Sequence, residues 1–463
     1  MDHTYDVKLW KTSVYRGSRK TTYTVRWTLE GAEWRQAFAT AALAESFRSG
    51  LVVAMRRGEP FSRTTGRPVS YQSAASEQNW YDFAVQFTDA QWGRTSGNNR
   101  KNVAKALMAT TVALLKSSPP SRFAPVDVRT ALREFAFNTG RRETAAVETR
   151  DILAWVRRSA PTMAAWEDPR TVESVLGALA KRLDGSATAA SSVKRTRRIL
   201  NVAMEYAVKH DVLKTNPLPK GRGTAPKSSA AVDRRSLVGK VQAAHLLAWV
   251  RRRPRGGPRL HAFFATMYYA APRPEEAVAM RVMDARLPDA GDDDQWGELL
   301  IHTAQPEVGK HWTDTGEVHE ERGLKGRAKD DMRVVPCRPA LTRILREHIK
   351  AEELKPGDLL FQGENSGMLA GSVIRRAWTT ARKHVLSPEE IASPLGKRVY
   401  DLRHTCLTNW LNDGVPPAQV ADWAGNSVPV LLAVYARCVT GQMADLKRRI
   451  EDGGDLPEVP EAS

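Results

Sequence analysis

The sequence predicts a multidomain, mainly α protein: a small N-terminal β-sheet module, then a helical domain, then a mixed α+β domain. Three observations carry that prediction. Before residue 65, β-branched and aromatic residues gather in short runs punctuated by glycine. From residue 80 to about 217, apolar residues recur at the helical period. Beyond a Pro/Gly/Ser-rich break the helical period returns, interrupted by two strand-like runs, GELLIHT and DMRVVPC.

The totals bound what such a chain can be. Its 463 residues are 42% apolar and 26% charged, enough for about two to four domains with real cores. No apolar run reaches about 18 residues, so no membrane span is expected. The start, MDHTYDVKLW, has no apolar h-region, so no signal peptide is expected. Cys337, Cys406 and Cys438 are odd in number and far apart, fitting neither a metal spacing nor a disulfide framework. They point to a reduced, cytoplasmic setting.

Net charge is +18, and it is unevenly placed. Residues 1–235 hold 39 Lys/Arg against 21 Asp/Glu, whereas residues 236–463 hold 31 of each. A basic half joined to a neutral half suggests one part that grips a polyanion and one with another task. A generally basic surface that aids solubility is the plainer alternative.

In the first module, residues 1–65, VKLWKTSVYRG, TTYTVRWTLEG and AEWRQAFAT read as three strands, followed by the helix TAALAESFRSGLVVAMRRGE. Lys8, Lys11, Arg16, Arg19, Lys20 and Arg26 make the first two strands basic. Such a sheet can lie in a DNA groove or be a structural sheet with solvated lysines.

Residues 80–217 read as helices throughout. In SSVKRTRRIL, Lys194, Arg195, Arg197 and Arg198 crowd the first turns of one helix. Helix N-termini prefer anions, so these cations suit a ligand phosphate better than helix stability; a solvated basic face is the alternative. Residues 218–236, rich in Pro, Gly, Ser and cations, form a linker.

From 237 to 450 the pattern gives helices at about VGKVQAAHLLAWVRR, LHAFFATMYYA and PEEAVAMRVMDA, the two strands around a polar hairpin-like insertion, and then five further helices. The acidic end, 451–463, is expected to be a frayed tail.

Four features of this last domain can carry chemistry. VYDLRHTCLTNWLND reads as an amphipathic helix whose apolar face, Cys406, Leu407, Trp410 and Leu411, continues back to Arg403. A buried unpaired guanidinium costs several kcal/mol, roughly, so either a carboxylate such as Asp401 pairs it or an anion arrives from outside. Arg273, in YYAAPRPEEAVAM, also heads an inward stripe (Glu276, Ala277, Met280), with Glu275 or Glu276 as an internal partner. Two guanidinium forks could share one phosphate. GLKGRAKDDMRVVP places Lys325 or Lys329 near a hairpin tip, where a lysine can protonate a leaving alkoxide or be plain surface. Tyr435, four residues after Leu431 and three before Cys438, is either a core tyrosine or a phenol nucleophile that needs a cationic pocket.

In their order and spacing, AAPRPEEAVAM, GLKGRAKDDMRVVP, YDLRHT and WAGNSVPVLLAVY resemble the catalytic domain of tyrosine recombinases, the phage-integrase family, most closely integrases of actinobacterial phages and integrative elements. The resemblance implies an arm-type DNA-binding module at 1–65, a helical core-binding (SAM-like) domain at 80–217 and a tyrosine-recombinase catalytic domain at 237–450. It implies that Arg273 and Arg403 clamp a scissile phosphate, with Glu276 supporting Arg273. Lys325, or its rival Lys329, would protonate the leaving 5′-oxygen, and Tyr435 would form a 3′-phosphotyrosyl link.

The implied function is site-specific recombination that integrates or excises a phage or other mobile element, with double-stranded DNA as partner and a homotetramer formed on it. A directionality factor is left open as an accessory. No cofactor or metal is expected, and the expected location is cytoplasmic, at the nucleoid.

Two positions depart from the family's usual pattern: Tyr400 stands where His is usual, and Asn426 where His or Trp is usual. Both can hydrogen-bond a phosphate oxygen, but neither shuttles protons near neutral pH as imidazole does. His404 is adjacent to Arg403 but points about 100° away on a helix, so it does not take Tyr400's place. A type IB topoisomerase-like strand-passing enzyme, or a catalytically weak or inactive DNA-binding relative, are the alternative functions.

Overall fold

The computed structural model describes residues 3–16, 21–38, 40–63, 66–70, 77–219, 231–289, 291, 294–325, 331–435, 438, 447, 448, 450 and 451. Arg19, Lys20, Lys329, most of the expected linker and nearly all of the acidic tail lie outside the described residues. The chain divides into two compact units, Met1–Lys227 and Ser228–Ser463.

The first unit opens with β1 (His3–Thr4), β2 (Val7–Leu9), β3 (Ser13–Arg16), β4 (Thr21–Leu29), β5 (Ala32–Phe38), α1 (Ala41–Arg56) and β6 (Phe61–Ser62). β4 is central: β5 pairs along one edge, while β2 and β3 lie end to end along the other, all antiparallel. The first predicted strand is therefore two. Between the pairs Leu9↔Trp27 and Ser13↔Thr24, three residues face two, a bulge that breaks the ladder. Val25, Trp27 and Leu29 alternate inward against Ala44, Leu51 and Ala54 of α1, and Thr40 caps that helix.

Helices follow: α2 (Trp80–Trp92), α3 (Gly97–Leu114), α4 (Pro125–Ala131), α5 (Val147–Ser159), α6 (Pro169–Leu179) and α7 (Ala190–Lys209). Asn79 and Asp168 cap α2 and α6 through side-chain oxygens. Trp80 and Trp166 are fully buried against each other, ring centroids 5.2 Å apart, and the indole of Trp80 donates to Thr111.

The second unit contains α8 (Lys240–Arg251), α9 (Gly257–Ala270), α10 (Pro274–Ala277), β7 (Ala285–Arg286), β8 (Gly297–Ile301), β9 (Thr303–Ala304), β10 (Arg322–Gly323), β11 (Arg333–Cys337), α11 (Pro339–Ala351), α12 (Gly371–Val385), α13 (Pro388–Ala392), α14 (Tyr400–Asn412), α15 (Pro417–Ala424) and α16 (Val428–Tyr435). The sheet order is β11-β8-β7, all antiparallel.

Two expectations change here. The helix foreseen over PEEAVAMRVMDA stops after one turn, because tertiary partners take its backbone groups: Met280 O accepts from Leu360 N, and Val282 N donates to Asp358 O. The helix α14 is not half-exposed; Asp401, Leu402, Arg403, Thr405, Cys406, Leu407, Thr408 and Leu411 are all buried, so it runs through the core. Among the described residues no helix is long and apolar enough to cross a membrane.

Candidate active site

The site grows from one helix end. An α-helix leaves its last carbonyls without intrahelical partners, and their aligned dipoles place partial negative charge there. At the C-terminus of α15, three consecutive carbonyls each accept from a different arginine. Trp423 O takes Nε of Arg333 at 2.8 Å, Ala424 O takes Nη2 of Arg403 at 2.6 Å, and Gly425 O takes Nη2 of Arg273 at 2.8 Å.

Gly425 sits at φ +61, the left-handed conformation that ends the helix. A Cβ there would lie 3.1 Å from Nη1 of Arg333 and 3.3 Å from Nη1 of Arg273.

A single carboxylate serves this cluster. Glu276 is 2% exposed and accepts from Arg333 at 2.5 and 3.1 Å and from Nη1 of Arg273 at 2.8 Å. It also caps α10 by accepting from the Arg273 backbone N–H at 2.7 Å. Burial opposes its ionisation, but the bonds from Arg333 and the charges of Arg333, Arg273 and Arg403 hold its pKa down at about 2. Three guanidinium groups thus face one hydrogen-bonded carboxylate, and among the described residues Glu275 adds a further negative charge that acts on Arg273.

Arg403 has no carboxylate of its own. Asp401 pairs instead with Arg398 at 2.9 Å, which removes the alternative in which it would serve Arg403. The Arg403 side chain, 1% exposed, rests on Ala424 O and on Ala271 O, and among the described residues its Nε has no hydrogen-bond partner. Ala271 follows α9 at φ +52, a left-handed conformation that costs an alanine about 1 kcal/mol and turns its carbonyl to the guanidinium.

Around this cluster lie most of the residues singled out in the sequence. Asn426 Oδ1 accepts from Nη2 of Arg273 at 3.1 Å. The Tyr400 ring lies 5.9 Å from the Arg403 guanidinium carbon. Tyr435 is 2% exposed at the end of α16. Burial pushes its phenol well above the ordinary range, and the Arg403 charge pulls the other way. Lys325 is exposed on the turn after β10 and, among the described residues, makes no hydrogen bond or ion pair to the cluster.

Two residues join the site beyond those assigned to it from the sequence. Arg333 begins β11, whose alternation puts it on the buried face with Val335 and Cys337; a cation on an inward strand position was the available signal. His404 Nδ1 lies 2.8 Å from the Tyr435 hydroxyl oxygen, within hydrogen-bond distance. The 100° offset that turns His404 from Arg403's partners turns it toward the phenol.

The remaining cations belong to the first unit. Lys8, Lys11, Arg16 and Arg26 are exposed in the β module, and Lys194, Arg195 and Arg198 are exposed on α7. Among the described residues no three His, Cys, Asp or Glu side chains group as a metal site.

No described protein family matches the sequence, and no curated protein matches it. Solved structures are similar in fold. The Tn1549 transposon integrase in complex with transposon right end DNA is 14% identical, with a TM-score of 0.47 over 68% of this chain and 92% of that one. The XerH site-specific recombinase bound to palindromic difH substrate is 14% identical, with a TM-score of 0.44 over 76% and 94%. A lambda integrase dimer bound to a COC′ core site is 12% identical, with a TM-score of 0.43 over 97% of both chains. At 12–14% identity the likeness is one of fold.

Proposed function

We propose that this protein is a tyrosine recombinase of the integrase type, cutting and rejoining DNA strands through a 3′-phosphotyrosyl intermediate. The observation that carries the reading is the cluster of Arg273, Arg333 and Arg403 around one carboxylate and one helix end, with Tyr435 beside it. An excess of fixed positive charge in a water-poor pocket stabilises an anionic transition state without reorganisation. A phosphodiester fits that charge, and guanidinium forks fit its oxygens.

In this reading Arg273 and Arg403 bind the scissile phosphate and Glu276 and Arg333 hold them in place. The Tyr435 oxygen bonds to phosphorus, the P–O5′ bond breaks, and Lys325 gives a proton to the leaving oxygen. The 5′-hydroxyl of a partner strand reverses the step. Tyr400 and Asn426 orient groups at the phosphate.

Arg403 and Tyr435 are almost solvent-free here, and Asn426 occupies Arg273. Phosphate binding therefore requires displacement of the Asn426 side chain and access to Arg403 with the Tyr435–His404 contact kept.

The remaining surfaces suit DNA as well. On the sheet face opposite α1, Arg26 stands directly across from Arg35, with Lys8 on the neighbouring strand. Like charges directly opposite destabilise a sheet. Glu33 pairs with Arg26 at 3.6 Å and offsets part of this repulsion, and a phosphate backbone suits the cations that remain. Strand exchange between two duplexes calls for four protomers, a homotetramer on DNA, and a mobile element as the natural substrate.

The test is a nicked suicide duplex cut from the DNA flanking the gene, incubated with the full chain. A covalent adduct that disappears in Tyr435→Phe supports strand cleavage; binding without adduct would leave a DNA-binding relative. Exchange between two defined sites marks a recombinase, whereas relaxation of any supercoiled plasmid marks a topoisomerase.

A further inference from the structure

We propose that His404 is the catalytic base that takes the Tyr435 proton as the phenol attacks phosphorus, an assignment that rests on the strand-cleavage reading above. Tyr400 stands where the usual pattern has His, a side chain better suited to proton transfer, so the nucleophile needs another acceptor.

The geometry supplies one. His404 Nδ1 lies 2.8 Å from the Tyr435 hydroxyl, within the range for direct transfer. To take the proton there, the neutral ring carries its own proton on Nε2. The ring is held on both sides: Tyr400, one turn back on α14, packs edge-on at 5.0 Å between centroids, and the Tyr435 ring lies at 5.6 Å.

One helix thus serves two parts of one reaction. Arg403 points to the end of α15, and His404, the next residue, points to the nucleophile on α16.

The charges around the imidazole are few. Asp401 favours its protonated form, while Arg398 and Arg403 disfavour it, and burial, the largest influence, holds its pKa down at about 4. The phenol faces Arg403, Tyr400, Cys406 and Cys438. The base is therefore unprotonated throughout the neutral range, while the phenol is protonated and needs it.

The protons balance. The Tyr435 O–H bond breaks toward Nδ1 as the O–P bond forms; the P–O5′ bond breaks and the leaving oxygen takes its proton from Lys325. On religation the imidazolium returns its proton to the Tyr435 oxygen.

The experiment is single-turnover adduct formation on the nicked duplex between pH 6 and 9, with thermal melts checking that each variant folds. The wild-type rate should be flat with pH. His404→Asn should be slower by about 10²-fold or more at pH 7, with a rate that climbs about tenfold per pH unit as hydroxide replaces the missing base. His404→Gly should regain rate with added imidazole.

A His404→Asn rate equal to wild type at pH 7, or a reduction by one constant factor at every pH without imidazole rescue, would overturn the assignment. A wild-type protein that forms no Tyr435-dependent adduct would instead sink the strand-cleavage reading, and this inference with it.

Discussion

The guanidinium of Arg403 donates to the carbonyl of Ala424, the last residue of α15, at 2.6 Å. A fully buried cation is therefore held by main chain rather than by a carboxylate. That choice keeps its charge unspent. A carboxylate partner would neutralise the group, whereas a carbonyl dipole orients it and leaves most of its field available to an incoming anion. The same helix end orients Arg273 and Arg333, so a small movement of α15 would shift all three together.

Arg333→Met should destabilise the second unit by roughly 3–5 kcal/mol, because it leaves the buried Glu276 carboxylate with one side-chain partner in place of two. Denaturant titration measures this, and a change below about 1 kcal/mol would contradict the clamp. The double variant Arg333→Met/Glu276→Gln should recover part of the loss, since no uncompensated charge remains buried.

Gly425→Ala should harm both stability and adduct formation, since it meets backbone strain and crowds two arginines at 3.1 and 3.3 Å. Gly58→Ala is the comparison: its φ is +66 with open space around it, so it bears strain alone, about 1–2 kcal/mol. A Gly425 variant no worse than the Gly58 variant in folding, and fully active, would remove the crowding argument.

Acid should weaken the second unit from about pH 6.5 downward. Burial lowers the pKa of His261 and His404 to about 4, and also lowers those of His319 and His348. Between the unfolded value of 6.5 and the folded values, the unfolded chain binds more protons, so stability falls as pH falls. Glu276, whose folded pKa is depressed to about 2, adds stability that is full above about pH 4.5 and lost toward pH 2. Melting temperatures from pH 8 to 4 follow the first loss, and a flat profile down to pH 5 would refute it.

Replacing Lys194, Arg195 and Arg198 together by alanine should lower DNA affinity and flatten its salt dependence. Each cation–phosphate pairing removed reduces the slope of log K against log salt by about 0.9. Fluorescence anisotropy with a fixed duplex gives both quantities, and an unchanged slope would mean that this face of α7 is merely solvated.

Much of this molecule was legible in the sequence because helices and strands announce themselves locally. The helical period marked the span 80–217 and α14, α15 and α16 to within a few residues. The β module was read as three strands, and the bulge at residues 10–12 was missed because one extra residue leaves no compositional trace. Arg273, Glu276, Arg403 and Tyr435 stood out as charges or a phenol placed on inward faces, a conflict visible without coordinates.

The sequence by itself marked Arg273, Glu276, Arg403 and Tyr435 as polar groups on inward faces, because helical and strand periods fix which side chains share a face. The tertiary structure alone decided what those groups meet. Ala271 lies 132 residues from Arg403 and Gly425 lies 152 from Arg273, and in both pairs the acceptor is a backbone carbonyl, which every residue carries and no residue type signals. His404 likewise became a partner of Tyr435 only when two helices packed, since a one-residue step around a helix separates two environments that the chain order places side by side.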